Sequence, residues 1–361
     1  MYRKIMSFLE AWKDSEHRKP LILQGARQVG KTYSILEFGR TCYENVAYFN
    51  FETNPKLNET FEENISPDYL IPILSHIAGQ TIVKEKTLIV FDEVQLCERA
   101  LTSLKYFCED APDYHIIVAG SLLGVAVNRA KFSFPVGKVD MKTLYPMDME
   151  EFMIACGESA LVEQIKKCFA EDKPLPSALH DAAMQLYRQY LIVGGMPECV
   201  MQFVETKDYI LVRHTQDTIL ASYLNDMSKY NNLNEIKKTR LAYDNITVQL
   251  SKKNTRFQYK LIKKGGRASE FENAIEWLCL SGIVSQVYKV EQVKKPLENY
   301  RNIDAFKIYV SDLGLLCAKK DLAANDVLYM VEEINDFKGG MAENYVNVQL
   351  TANGYKTYYW E

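Results

Sequence analysis

Between residues 1 and 145, short apolar runs alternate with stretches whose apolar residues recur every three or four positions. That alternation predicts parallel strands joined by crossover helices. The predicted strands cover 20–25, 46–52, 87–92, 115–120 and 137–145. The first, third and fourth are near-continuous Leu, Ile and Val, as expected of strands buried on both faces, and so belong at the sheet centre. After Pro146 the period becomes helical, with apolar positions at Met149, Phe152 and Met153, then Leu161, Ile165, Cys168 and Phe169, then Ala183, Leu186, Tyr187 and Tyr190. A proline-bearing stretch at 173–178 separates two of these helices, GGMP at 194–197 breaks the chain after the third, and a further helical run covers 207–230. Helices are predicted near 234–250 and 269–280, followed by two strand-like runs from Gly282 and Ala305, an order that suggests a winged helix-turn-helix. The chain ends on an alternating run at 355–361. A lone terminal strand cannot satisfy its own backbone, so it joins a sheet or frays, and the sequence reads as a piece of a longer protein.

At 361 residues the chain is long for one hydrophobic core and sufficient for two or three domains. With 47% hydrophobic and 25% charged residues it has the usage of a soluble globular protein, and most of it should fold. Its longest nearly apolar stretch, 115–127, is too short to cross a bilayer, and the first residues lack the apolar core of a signal peptide. A cytoplasmic protein without a membrane partner is expected. The eight Cys form no CxxC pair and no Cys/His cluster, which disfavours disulfides and structural zinc. The five His are isolated and read as surface or packing residues. Net charge is -4, yet residues 231–296 carry 13 Lys and Arg against 6 Asp and Glu. That local excess fits either a polyanion-binding face or a Lys-rich solvated surface.

The chemistry-bearing motif is GARQVGKT at 25–32, directly after an apolar strand and directly before a helical run. Gly25 and Gly30 allow the turn in which the amides of Gly25, Ala26, Arg27, Gln28, Val29, Gly30, Lys31, Thr32 and Tyr33 wrap phosphates. Lys31 is placed to reach the β and γ oxygens, and Thr32 to offer a hydroxyl to Mg²⁺. The following helix presents its positive N-terminus to a triphosphate. A second element, TLIVFDEVQ from Thr87, ends an apolar strand in two carboxylates. There Asp92 is placed to hold Mg²⁺ and Glu93 to polarise the attacking water, or Glu93 is an N-terminal helix charge. A third strand, IIVAGS from Ile116, ends in Ser121, which either touches the γ-phosphate or the water, or is a turn residue. No NKxD guanine-reading motif occurs, which favours adenine, and the LSG at 280–282 lacks the context of a transporter signature. The cofactors expected are ATP and Mg²⁺.

These elements, followed by LYPMDMEEF from Leu144, YLIVGGMPE from Tyr190, FKIYVSDLGL from Phe306 and KGGMAENYV from Lys338, occur in the order of a large group of prokaryotic AAA-type ATP-binding proteins, which the chain resembles over nearly its whole length. The resemblance implies an α/β P-loop NTPase core with an AAA/ASCE-type parallel sheet over 1–145 and the P-loop strand near the middle. It further implies a helical lid over 146–230, a winged helix-turn-helix over 231–320, and over 321–361 the start of a nuclease-like domain, a partial α/β module with Glu343 as its first acid. By resemblance, Gly195 and Pro197 would lie against the nucleotide, or on local grounds the GGMP break is a Gly/Pro helix terminator. Relatives often carry Gly-Arg where this chain has Gly137-Lys138. That leaves Arg129 as the nearby candidate for an arginine finger, or as a solvated helix residue.

The leading expectation is Mg-dependent ATP hydrolysis coupled to a conformational change acting on a nucleic acid or a partner protein. One alternative is a nucleotide-gated DNA-binding regulator with slow hydrolysis, contacting phosphates through Lys252, Lys253, Arg256, Lys260, Lys263, Lys264 and Arg267. Glu270, Glu272 and Glu276 on the would-be recognition helix oppose that alternative and favour protein docking. A second alternative is an ATP-controlled nuclease completed by residues beyond Glu361. The partner classes are thus DNA through 231–296, a protein client, and further copies of the chain.

Overall fold

A computed structural model describes residues 1–120, 135–229, 233–252 and 256–361. The chain divides into two compact units, Arg3–Leu144 and Tyr145–Glu361, the latter joined by Met1–Tyr2.

The first unit alternates helices and strands: α1 (Ile5–Lys13), β1 (Leu21–Gln24), α2 (Lys31–Cys42), β2 (Asn45–Asn50), α3 (Leu57–Glu63), α4 (Pro67–Ala78), β3 (Thr87–Asp92), α5 (Glu98–Asp110), β4 (His115–Ala119) and β5 (Asp140–Thr143). All five strands are parallel, in the order β2-β3-β4-β1-β5. The Leu/Ile/Val-rich strands β1, β3 and β4 are the three interior ones, as their composition predicted, while the P-loop strand β1 lies next to the edge strand β5. Every residue of β3 and β4 is buried. On one face of the sheet Phe49, Phe51, Phe61 and Phe91 pack with Leu70, Leu74 and Leu104, each ring contributing on the order of 1.5–3 kcal/mol by burial. Phe61 meets Phe91 edge-on at 5.6 Å, which anchors α3 over the end of β3 that carries Asp92.

Among the described residues the second unit opens on six helices, α6 (Met149–Ala155), α7 (Ser159–Ala170), α8 (Ser177–Val193), α9 (Pro197–Thr206), α10 (Tyr209–Lys229) and α11 (Leu233–Leu250). Then come the short α12 (Tyr259–Ile262), α13 (Ala268–Leu280), β6 (Val284–Val290), β7 (Arg301–Val310), α14 (Leu313–Lys319), α15 (Ala324–Leu328), α16 (Asn335–Ala352) and β8 (Tyr358–Tyr359). The helical period located α6 to α8, although Phe169, read as part of an apolar face, is 88% exposed. In LYPMDMEEF, Asp148 and Glu151 form a capping box that starts α6: the Glu151 amide donates to Asp148 and the Asp148 amide to Glu151.

The strand-like terminus joins a sheet, β8 pairing in parallel with β6, which pairs antiparallel with β7. Helix α16 is fastened to what precedes it. Gln349 accepts from the Met149 amide at 2.8 Å, Asn353 donates to Asp148 at 3.1 Å, and Asn344 exchanges two 2.8 Å bonds with the N–H and C=O of Val310. With the Phe257 amide on Phe306 O at 2.8 Å, Asn344 occupies outward-facing backbone groups of β7. Among the described residues no helix is long and apolar enough to cross a membrane.

Candidate nucleotide site

Strand β1 delivers the chain into the loop 25–30, and α2 begins at Lys31. Gly25 has φ +149°, and a Cβ there would stand 2.2 Å from the carbonyl oxygen of Leu144, so no other residue fits without moving the end of β5. Gly30 precedes α2 in the left-handed region. The first intrahelical bond runs from the Ser34 amide to Gly30 O, so the amides of Thr32 and Tyr33 precede it and aim along the helix axis. The loop is braced from behind by Arg3, a buried guanidinium that donates to Val29 O at 3.0 Å. Lys31, also buried, donates from Nζ to Gly25 O and Ala26 O, both at 2.8 Å, which folds its side chain back over the loop.

Across the sheet, β3 places Asp92 opposite α2. Thr32 Oγ1 donates to Asp92 Oδ2 at 2.8 Å, joining the two motifs across 60 residues of sequence. Asp92 Oδ1 accepts from the Glu93 amide at 3.0 Å. Glu93 has φ +53° and ψ +38°, a left-handed conformation uncommon for a residue with a side chain, which persists where surrounding structure holds it. Gln95 donates to the Glu93 carboxylate and fixes its direction.

Two residues that sequence reasoning missed complete the group. Tyr48 OH donates to Asp92 Oδ2 at 2.7 Å, and Asn50 Nδ2 donates to Tyr48 OH at 3.2 Å. Burial is the main cause that pushes the Tyr48 phenol up to about 12. The signal for them lies in β2, where positions 48 and 50 put two polar side chains on one face of the strand. Its register against β3 puts Asn50 beside Asp92.

Residues 17–153 match the family model of the AAA domain, and residues 184–326 match a domain of unknown function, DUF8612. The first unit is similar to the AAA domain over most of its length. The chain is also similar to solved structures: the Walker-type ATPase PABY2304 of Pyrococcus abyssi is 13% identical, with 88% of this chain and 95% of that one covered at a TM-score of 0.54. The ORC2 protein of Aeropyrum pernix is 12% identical over 97% of this chain and 95% of its own, at a TM-score of 0.39. Among curated proteins no sequence matches. With its parallel sheet and glycine-cradled loop, the AAA domain has the α/β P-loop NTPase fold.

Residues 25–33, Asp92 and Glu93 therefore lie together in the AAA domain, and their cradle of amides, ammonium, hydroxyl and carboxylates fits a triphosphate with a divalent cation. Ser121, Arg129 and Lys253 lie outside the described residues. Lys138, which stands where the resemblance expects arginine, pairs with Glu109 at 2.9 Å.

Gly195 and Pro197 belong to the second unit. The Gly195 amide donates to Asp312 Oδ2 at 2.6 Å, its carbonyl accepts from the Met147 amide at 2.7 Å, and Pro197 is the first residue of α9. Gly194 has φ +75°, and a Cβ on it would meet Asp312 Oδ1 at 2.2 Å. Glu343 accepts from Lys307 Nζ at 3.1 Å and Tyr309 OH at 3.0 Å.

Proposed function

We propose that the chain binds ATP with Mg²⁺ in its AAA domain, hydrolyses it, and uses the turnover to act on a partner. The observation that carries this reading is the Thr32–Asp92 bond at the head of α2, beside a loop that only glycine can begin. Thr32 and Asp92 would hold the cation, which when bound neutralises charge on the phosphate oxygens. The amides at the start of α2 bind the phosphates, and Lys31 gives up the carbonyls of Gly25 and Ala26 for phosphate oxygens. Glu93, steered by Gln95, orients the attacking water and takes its proton.

The test is calorimetric titration of Mg-ATP into wild type and Lys31→Ala. Loss of charged hydrogen bonds worth about 3 kcal/mol together is expected to weaken binding about 100-fold. Equal affinity in the two proteins would remove the reading.

For the partner, the order α11, α12, α13, β6, β7 supports a winged helix-turn-helix in the second unit. Exposed Lys252, Arg256, Lys260, Lys263, Lys264 and Arg267 favour a polyanion such as duplex DNA, met through the segment between α11 and α13. The outward residues of α13, Glu272 and Glu276, repel phosphate and keep that helix out of a groove. If DNA is bound, Lys260→Glu with Lys264→Glu is expected to flatten the slope of log K against log salt by about 2. An unchanged slope in a filter-binding series would move the partner assignment to a protein.

A further inference from the structure

Asp92 is held by more than the cation site needs. Oδ2 receives two hydroxyl donors, Thr32 and Tyr48, and Oδ1 receives the Glu93 amide. The side of the carboxylate facing β2 belongs to a chain of bonds whose every proton has a fixed direction. The amides of Glu52 and Thr53 both donate to Asn50 Oδ1 at 2.9 Å, and this forces Asn50 Nδ2 to point the other way. Nδ2 then donates to the oxygen of Tyr48, and the Tyr48 hydroxyl hydrogen is left to point at Asp92. The turn that anchors the chain is itself tied to the end of β3, the Phe51 amide donating to Asp92 O at 3.1 Å. Backbone at 51–53 therefore sets the rotation of Asp92 through two side chains, with no rotor free to choose.

We propose that Tyr48, oriented by Asn50, is a positioning residue for the divalent cation: it holds the Asp92 carboxylate so that Oδ1 keeps acceptor capacity toward the cation's water shell. The inference rests on the nucleotide-binding reading and deepens it. Tyr48 acts through Asp92, to which its hydroxyl donates. Outer-shell partners of this kind are worth about 10–100-fold in metal affinity. Tyr48 is 38% exposed on an edge strand, so removing its hydroxyl leaves the packing of the ring in place.

The experiment follows Mn²⁺ by electron paramagnetic resonance in the full chain with ADP present, alongside ADP binding in EDTA and thermal melting. Tyr48→Phe is expected to raise the Mn²⁺ midpoint about 10-fold, with metal-free ADP affinity and melting temperature unchanged. Asn50→Ala, which frees the phenol to rotate, is expected to give a smaller shift in the same direction. A Tyr48→Phe protein that melts like wild type and binds Mn²⁺ with the same midpoint overturns the proposal. An equal loss of metal-free ADP affinity also overturns it, because the residue would then shape the loop and not the cation site. If wild type shows no Lys31-dependent nucleotide binding, the nucleotide reading falls before this one is reached, and the Lys31→Ala control separates the two failures.

Discussion

Glu93→Gln is expected to lower ATP turnover by about 10²–10⁴-fold while Mg-ATP affinity stays within about twofold of wild type. The amide keeps the shape of the carboxylate but cannot take a proton from water. It also keeps the left-handed turn, because that conformation is set by the main chain between β3 and the following turn and by the bond from the Glu93 amide to Asp92. Binding is expected to survive because the groups proposed to meet the phosphates, the loop amides and Lys31, belong to the loop after β1 and the start of α2, whereas Glu93 follows β3. Single-turnover measurement with prebound ATP isolates the chemical step. Wild-type turnover in this variant would return Glu93 to a charge at a turn and require another base.

At about pH 4, Asp312→Asn is expected to destabilise the second unit by about 3–5 kcal/mol, read as a shift of its thermal transition. Asp312 is buried and starts α14 by accepting from the Leu315 amide at 2.8 Å through Oδ1, while Oδ2 accepts from Gly195 at 2.6 Å. The amides of Gly314 and Met196 also face it. Asparagine must turn an NH₂ toward one set of these donors and leaves them buried without an acceptor. The effect depends on pH. Desolvation, partly offset by the backbone donors, raises the Asp312 carboxyl from 3.8 to about 6. Between those values the folded chain keeps a proton that the unfolded chain has released, so this group's contribution to stability falls as pH rises from about 4 to about 6 and is level above. The fall is on the order of 3 kcal/mol, at about 1.4 kcal/mol for each unit. The difference between wild type and Asp312→Asn should therefore shrink across that window. A difference that stays constant with pH would show that the carboxyl does not titrate there.

Much of the AAA domain was legible because its information is local. Near-continuous Leu, Ile and Val in β1, β3 and β4 announced strands covered on both faces, and GARQVGKT sits between strand and helix where its glycines are needed. The Thr32–Asp92 bond follows from those two placements. Tyr48 and Asn50 were not legible, because a polar pair on an edge strand gains meaning only when β2 is known to lie beside β3. Asp312 escaped for a related reason: its bond to Leu315 is three residues away and readable, but its bond to Gly195 spans 117 residues. The apolar period of α7 placed Phe169 inward, and the helix turns it to solvent, since a period marks a face without saying where cover ends. Within GGMP at 194–197, Asp312 and Met147 approach too closely for side chains on Gly194 and Gly195.

The bonds that Asn344 and Phe257 make to β7 have a consequence for how the chain behaves in a crowded solution. A sheet ending in a strand of ten residues would offer its unused ladder to any extended segment that drifts past, the first step of aggregation. Here the carbonyl of Phe306 and both groups of Val310 are already spoken for, four residues apart, so an incoming strand finds the register interrupted before it can zip. One asparagine amide, imitating a peptide bond from the side of a helix, and the backbone amide of Phe257 thus occupy part of the ladder that an added strand would use along that margin.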